Sequence, residues 1–350
     1  MNDKAFQSSV RALSVCKTYS SSYLRENEIR MEEARPRSIP TIVIPENIRQ
    51  TGVCPLDLTA RALMHLHESG IVVLENAVDN VSLDRLNTIL APDAIHLAKA
   101  PDQHFNFGTR CANINQGPPL DESLMFSDVW INPFALSTLA GILGPDLVLH
   151  YACGNTALQT SPANRQPVHS DIEFPHPMFP FSFVVNIPLV DMDECNGATE
   201  VWLGSHAATS FSDQIQKPSQ AEDLPPRSII SSLVEHRRSF SPPVRACVSK
   251  GSIIIRDLRL WHAGMPNLTP MPRVMLAFVW QAAWWQGKGL MNLPLGIQPK
   301  IHSWESSRVG CRFAVQWVEA STKQRVDGMG AHSTSLASSD VVLQSFLSQA

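Results

Sequence analysis

Two histidines and one aspartate are the residues of this sequence whose types and spacing could carry chemistry. His169 and Asp171 are separated by one residue, and His262 lies far downstream in a Leu-Trp-His-Ala-Gly segment. On a strand, side chains two positions apart point to the same face, so His169 and Asp171 would project together. Two imidazoles and one carboxylate suit iron(II) and leave coordination positions open. The sequence therefore predicts a metal site at these three residues.

Arg273 is the candidate anion-binding residue. It follows His262 and opens the apolar run 274–280. An arginine that is buried at the start of such a strand needs an anionic partner. A guanidinium can bind a carboxylate through two parallel hydrogen bonds, which suits the distal carboxylate of a dicarboxylic acid. An ion pair within the protein is the alternative reading and stays open.

The elements that must position these residues are predicted to be short strands. Apolar runs at 147–151, 181–189, 252–255 and 274–280 are separated by proline and glycine. Several short strands with turns between them are typical of an all-β sandwich or barrel. Upstream, apolar residues at helical spacing predict helices at 58–68 and 81–90, with a buried strand at 71–74 between them.

Composition divides the chain into segments. Residues 1–40 are polar and are predicted to form an arm, residues 41–325 a single domain, and residues 326–350 a tail. Within the domain, residues 207–246 are rich in proline and serine. They are predicted to be an insertion on the rim of the β core. Such long loops are often lids or binding loops, and a plain surface excursion is the alternative.

The overall composition excludes several classes of protein. Hydrophobic residues make up 44% of the 350 residues, charged residues make up 17%, and the net charge is −4. This is a globular composition without the basic surface that nucleic-acid binding requires. There is neither an apolar stretch of membrane-spanning length nor the apolar core of a secretory signal. The 7 cysteines lack a Cys-x-x-Cys pair, which favours reduced thiols and a cytoplasmic location.

In combination, these residues resemble the phytanoyl-CoA dioxygenase family of iron(II)- and 2-oxoglutarate-dependent oxygenases. The segment 196–206, NGATEVWLGSH, is similar to the family's N-G-x-x-x-x-x-P-G-S-H motif, with Leu203 where many members have proline. The segment 257–264, DLRLWHAG, resembles the region around the family's distal histidine. The resemblance covers about 147–280 and extends more loosely to 58–90.

The resemblance implies a mainly β fold: a double-stranded β-helix (jelly-roll, cupin-like) core with flanking α-helices. It implies Fe(2+) at the three ligands named above, with 2-oxoglutarate and O2 as cosubstrates. Arg273 would pair with the distal carboxylate of 2-oxoglutarate. The other residues assigned to the cosubstrate by this resemblance are Gln166, Thr199 and Arg110.

The expected reaction is oxidation of a C–H bond by hydroxylation, desaturation or oxidative cyclisation. Asp171 argues against halogenation, because related halogenating enzymes lack this carboxylate. No basic cluster near the site would bind the phosphates of coenzyme A. The expected substrate is a small, largely apolar metabolite of natural-product biosynthesis, and an acyl-CoA is the alternative. Six residues are either a pocket wall or core, namely Phe174, Met178, Phe179, Phe181, Trp284 and Trp285.

Two other classes of function stay open at this point. One is a metal-binding jelly-roll protein without oxygenase activity. The other is a hydrolase that uses Ser205 or another serine with His206, although the sequence lacks the Gly-x-Ser-x-Gly motif. The expected partner is a small-molecule substrate, with no nucleic acid and no membrane, and a homodimer is left open.

Overall fold

The computed structural model describes residues 38–215, 227–285, 287, 289–307 and 310–319. It confirms a mainly β fold with flanking helices. The predicted tail and residues 1–37 of the predicted arm lie outside the described residues. No helix in the described part combines the length and apolar character that crossing a bilayer would require. Among the described cysteines, Cys54, Cys111, Cys195 and Cys247 have free thiols.

The strands and helices are short and alternate along the chain. The strands are β1 (Thr41–Val43), β2 (Ile71–Glu75), β3 (Asn113–Asn115), β4 (Leu147–Ala157), β5 (Ser182–Pro188), β6 (Glu200–Val201), β7 (Val244–Arg245), β8 (Ile253–Asp257), β9 (His262–Ala263), β10 (Met275–Ala282), β11 (Met291–Pro294), β12 (Cys311–Phe313) and β13 (Val315–Val318). The helices are α1 (Glu46–Thr51), α2 (Leu56–Ser69), α3 (Asn80–Leu97), α4 (Ser127–Trp130), α5 (Pro133–Leu143), α6 (Ser231–Phe240) and α7 (Gln298–Ser307).

The β core has a large and a small sheet between which the chain alternates, and among the described strands β11 and β13 form a separate pair. In the described ranges, the large sheet has 8 strands in the order β1-β2-β8-β5-β10-β4-β12, with β3 beside β4. Its centre, β8-β5-β10-β4, is antiparallel. The small sheet has the order β7-β6-β9 and is extended by a bridge between His169 and His262. This alternation between the two sheets is the winding of a double-stranded β-helix.

Strand β5 shows that the large sheet is buried on both faces. All 7 of its residues are buried. Phe183, Val185 and Ile187 belong to the main hydrophobic core together with residues of α2 and α5. Val184 and Asn186 point the other way and line a cavity. Successive side chains of a strand alternate between faces, so the sheet packs against helices on one side and encloses the cavity on the other.

The structure differs from the sequence prediction in the region 207–246. Helix α6 occupies part of it, and β7 is a strand of the small sheet that pairs with β6. The end of the predicted insertion is therefore part of the β core. A strand of two residues, Val244 and Arg245, is too short to produce an alternating pattern, which is why the sequence did not reveal it.

Two glycines that end helices allow a matched stability test. Gly52 and Gly70 follow α1 and α2 and adopt φ of 64° and 74°. A Cβ at Gly52 would meet no atom within 4 Å, whereas one at Gly70 would lie 2.8 Å from Leu260 Cδ1 and 2.7 Å from His206 Cγ. We expect Gly52→Ala to cost about 1 kcal/mol for the left-handed backbone. Gly70→Ala should cost about 1–3 kcal/mol more for overpacking.

Urea unfolding of both glycine variants measures this difference, because the backbone cost is common to both. Equal losses of stability would show that the packing around Gly70 yields to an added methyl group.

Candidate metal centre

The small sheet brings the two predicted histidine ligands together. His169 and His262 pair through two backbone hydrogen bonds of 2.9 Å, one in each direction. Asp171 follows on the same segment, and its backbone N–H donates to Leu258 O at 3.0 Å. Ligand atoms of His169, Asp171 and His262 all lie within 4.8 Å of one another. The three residues predicted from the sequence therefore form one cluster.

Both imidazoles are oriented by a backbone carbonyl two residues earlier in the chain. His169 Nδ1 lies 2.9 Å from Pro167 O, and His262 Nδ1 lies 3.1 Å from Leu260 O. An Nδ1–H that donates to a carbonyl leaves the Nε2 lone pair free for a metal. Both Nε2 atoms face Asp171 Oδ1, at 3.8 Å from His169 and 3.4 Å from His262. The donor atoms thus converge on one point.

The charge state of the cluster suits a divalent cation. Burial, reinforced by His262, lowers the pKa of His169 well below its ordinary value, so this imidazole is neutral. Burial alone would raise the pKa of Asp171, but Arg256 and the two imidazoles lower it well below its ordinary value. Neutral imidazoles and an ionised carboxylate are the forms that bind metals. The residues therefore fit the implied iron(II).

Arg256 belongs to this site although the sequence analysis did not select it. It lies on β8, is buried, and its Nη2 donates to Asp171 Oδ2 at 2.6 Å. A charged residue within the apolar run Ile253–Asp257 was the signal that could have identified it, since buried charges are almost always paired.

Arg273 is a buried cation that pairs with no carboxylate of the described residues. It is 2% exposed, and its guanidinium donates to Asn155 O at 3.2 Å and to Gly197 O at 3.0 Å. Its buried Nε has no hydrogen-bond partner, and no carboxylate of a described residue pairs with it. Burial, with a smaller contribution from Arg245, lowers its pKa to about 10, so it stays cationic at neutral pH. A buried cation without a counter-ion fits the distal carboxylate of 2-oxoglutarate.

The other residues assigned to the cosubstrate differ in position. Gln166 and Thr199 line the same cavity as the metal cluster. Gln166 Oε1 accepts a hydrogen bond of 2.9 Å from the backbone N–H of Gly264. Arg110 is exposed and is not among the residues that line the cavity. The structure therefore brings Gln166 and Thr199 to the site and leaves Arg110 outside it.

From the same loop, Phe107 reaches the metal cluster, whereas Arg110 does not. Its backbone adopts φ of 59°, which is unusual for a bulky residue. Its ring lies 4.5 Å from the ring of His169 and lines the cavity. The guanidinium carbon of Arg227 lies 5.2 Å from the centroid of the Phe107 ring. The loop thus turns an aromatic ring toward the metal ligands, and Arg110 faces outward.

A cavity of about 1070 Å³ surrounds these residues. Its walls come from both sheets, from helix α3 and from the loops around Phe107. Apolar side chains line much of it, with amide groups between them at Asn106, Asn113, Asn115, Gln116, Asn155, Asn186 and Gln166. The buried Oδ1 atoms of Asn113 and Asn155 have no hydrogen-bond partner within the described chain. The cavity can therefore hold a mostly apolar molecule with some hydrogen-bonding groups.

Five aromatic residues and Met178 were predicted from the sequence to be either a pocket wall or core. None of the six lines the cavity. Phe181 and Trp285 are buried in a separate core cluster, with Phe174 packed against it. Met178, Phe179 and Trp284 are between 42% and 55% exposed. The core interpretation is correct for the buried part of this group, because those rings pack on one another.

Ser205 does not have the surroundings of a nucleophile. Its side chain is buried, and its hydroxyl accepts a hydrogen bond of 2.8 Å from the backbone N–H of Trp261. It thereby fixes the residue next to His262. The buried Nδ1 of His206 has no hydrogen-bond partner in the described structure, so it does not activate Ser205 through that atom. These contacts do not support Ser205 and His206 as a nucleophile and its base.

A family model described as phytanoyl-CoA dioxygenase matches residues 66–275. The chain is also similar to solved structures. One is the epimerase SnoN in complex with Fe3+, alpha ketoglutarate and nogalamycin RO, at 16% identity over 65% of this chain and 85% of that chain, with a TM-score of 0.49. A second is EctD from S. alaskensis with 2-oxoglutarate and 5-hydroxyectoine, at 18% identity over 64% and 76%, with a TM-score of 0.48. A third is the non-heme monooxygenase ThoJ, at 18% identity over 63% and 77%, with a TM-score of 0.44.

Proposed function

Because the chain belongs to the phytanoyl-CoA dioxygenase family and is an iron(II)- and 2-oxoglutarate-dependent oxygenase, we propose that it oxidises a C–H bond of a small, largely apolar metabolite. The iron ligands would be His169, Asp171 and His262. Arg273 would bind the distal carboxylate of 2-oxoglutarate, with Gln166 and Thr199 beside it. A biosynthetic role in natural-product formation is the setting that we propose for this reaction.

The proposed substrate class rests on the ion pairs that the arginines of the cavity already form. The described lining contains three arginines and no lysine. Arg227 pairs with Glu173 at 2.5 Å, and Arg256 pairs with Asp171 at 2.6 Å. Arg273 would bind the distal carboxylate of 2-oxoglutarate. No cation of the described lining is left for the phosphates of coenzyme A, so an uncharged substrate is favoured over an acyl-CoA.

Different residues of the chain would hold the ligands, orient the cosubstrate and limit access to the metal. The bound iron and its cosubstrates supply the oxidising chemistry. The backbone carbonyls of Pro167 and Leu260 hold the imidazoles, Arg273 orients the cosubstrate, and the buried walls exclude water. Phe107 covers one side of His169 and thereby limits the direction from which a substrate reaches the metal. These groups position the reactants, and the amides of the cavity orient the substrate.

Succinate formation measures this proposal directly. The purified protein with Fe(II), 2-oxoglutarate and O2 is given two substrate panels, uncharged apolar metabolites and acyl-CoA thioesters. We expect stimulated succinate release, with a product heavier by one oxygen or lighter by two hydrogens, from the uncharged panel alone. Stimulation by acyl-CoA thioesters with none from uncharged molecules would refute the proposed substrate class.

The compartment is part of the same proposal. Among the described cysteines, Cys195 and Cys247 are exposed free thiols. Exposed free thiols persist in reducing compartments. We infer that the enzyme works in the cytoplasm on a freely diffusing substrate.

A further inference from the structure

Arg256 lies beside the metal cluster in a position that neither the ligand set nor the cosubstrate site explains. Arg256 lies on β8, is 6% exposed, and lines the cavity. The next residue, Asp257, points to the opposite face of the strand and is paired with Arg259 at 2.7 Å. The carboxylate nearest to Arg256 in the sequence is therefore already occupied, and Arg256 is directed to Asp171.

The two oxygens of Asp171 have different partners. Oδ1 faces the Nε2 atoms of both histidines, at 3.8 Å and 3.4 Å. Oδ2 accepts the hydrogen bond of 2.6 Å from Arg256. A charge-assisted bond of this length fixes the rotation of the carboxylate. Only one oxygen is then presented to the point at which the histidines converge.

A second contact connects Arg256 to His262. Its Nη1 lies 3.2 Å from His262 Nδ1, the same atom that lies 3.1 Å from Leu260 O. When Nε2 serves a metal, Nδ1 carries the proton and donates to the carbonyl of Leu260. The guanidinium of Arg256 then cannot donate to His262 Nδ1, and it donates to Asp171. The arrangement favours the Asp171 contact in the form of the site that binds metal.

From this geometry we propose that Arg256 is a positioning residue that restricts Asp171 to one metal bond. The inference rests on the proposed function. A carboxylate with both oxygens free can take two coordination positions on a metal. With Oδ2 occupied by Arg256, three positions would stay open for the chelating cosubstrate and O2. A second bond from Asp171 would leave two and would compete with the cosubstrate for them. Arg256 therefore acts on 2-oxoglutarate binding through Asp171, without contacting the cosubstrate.

Arg256→Met tests this role because methionine fills similar space without charge or hydrogen bonds. Under anaerobic conditions, Fe(II) binding is measured by equilibrium dialysis, and 2-oxoglutarate is then titrated into the Fe(II)-loaded protein while its visible charge-transfer band is followed. We expect the 2-oxoglutarate midpoint to rise about 10–100-fold, the size of effect that loss of a group supporting a metal ligand has on metal affinity or activity. Fe(II) binding should change less. Arg256→Lys should restore much of the effect, because an ammonium can still donate to Oδ2.

Arg238→Met is the matched control, since Arg238 is an exposed residue of α6 that pairs with Glu235. Thermal unfolding followed by circular dichroism verifies that each variant is folded. An unchanged 2-oxoglutarate midpoint in Arg256→Met overturns the inference, and so does an equal loss of Fe(II) and 2-oxoglutarate binding. A wild-type protein that binds Fe(II) but gives no band contradicts the proposed function instead.

Discussion

His169→Ala is expected to abolish the charge-transfer band and to weaken Fe(II) binding by more than about 100-fold. Loss of a residue that merely supports a metal ligand costs about 10–100-fold, and loss of the ligand itself should exceed this. His169 supplies one of only three side-chain donors in the cluster. Alanine removes the whole imidazole, so only Asp171 and His262 of the cluster remain as donors. Anaerobic Fe(II) titration with 2-oxoglutarate present measures both quantities.

His150→Ala is the appropriate control for that experiment. His150 is also a buried histidine, it lies on β4, and its Nδ1 lies 2.9 Å from Gly289 O. It does not line the cavity. Its replacement should leave the band intact. If His169→Ala kept the band, the metal would have to be bound elsewhere, and the proposed ligand set would be wrong.

Arg273→Ala is expected to raise the 2-oxoglutarate requirement while Fe(II) binding stays nearly unchanged. Removal of one partner from a buried, hydrogen-bonded charge pair costs about 2–5 kcal/mol, or roughly 30- to 4,000-fold in affinity. The effect should appear in the KM for 2-oxoglutarate and in the midpoint of the anaerobic titration. Arg273→Lys should give an intermediate value, because an ammonium keeps the charge and loses the two-pronged geometry.

Arg312→Ala controls for the loss of an arginine as such, because Arg312 is exposed on β12. It should behave like the wild type in both titrations. A comparable loss of Fe(II) binding in Arg273→Ala would mean that this arginine supports the metal cluster and does not bind the cosubstrate.

Much of the fold could be predicted from periodicity. The buried strand at 71–74 and the helices at 58–68 and 81–90 are all present, with longer bounds for the helices. The small sheet could not be predicted in the same way. Its strands β6, β7 and β9 have two residues each, so they carry no alternating pattern. They exist because of long-range pairing, which a local reading of the sequence does not detect.

The site shows the same division between local and long-range information. The close spacing of His169 and Asp171 and the motif around His262 located the ligands. Arg256 was missed because its partner, Asp171, is distant in the sequence and becomes adjacent only when β8 faces the small sheet. Phe107 was missed because its position depends on a left-handed backbone conformation that phenylalanine rarely adopts. Residue types and local spacing identified the metal ligands. The additional residues of the site, Arg256 and Phe107, depend on tertiary structure.

The reciprocal backbone pairing of His169 and His262 has a thermodynamic consequence. Two segments far apart in the chain meet in a sheet of very short strands, and both contribute a ligand to the same ion. An ion that binds only the native arrangement stabilises it by mass action, by about 2.7 kcal/mol at a free concentration 100 times its dissociation constant. The metal would then act as a cross-link between these two segments. Binding of one ion would both stabilise the jelly roll and complete its active site.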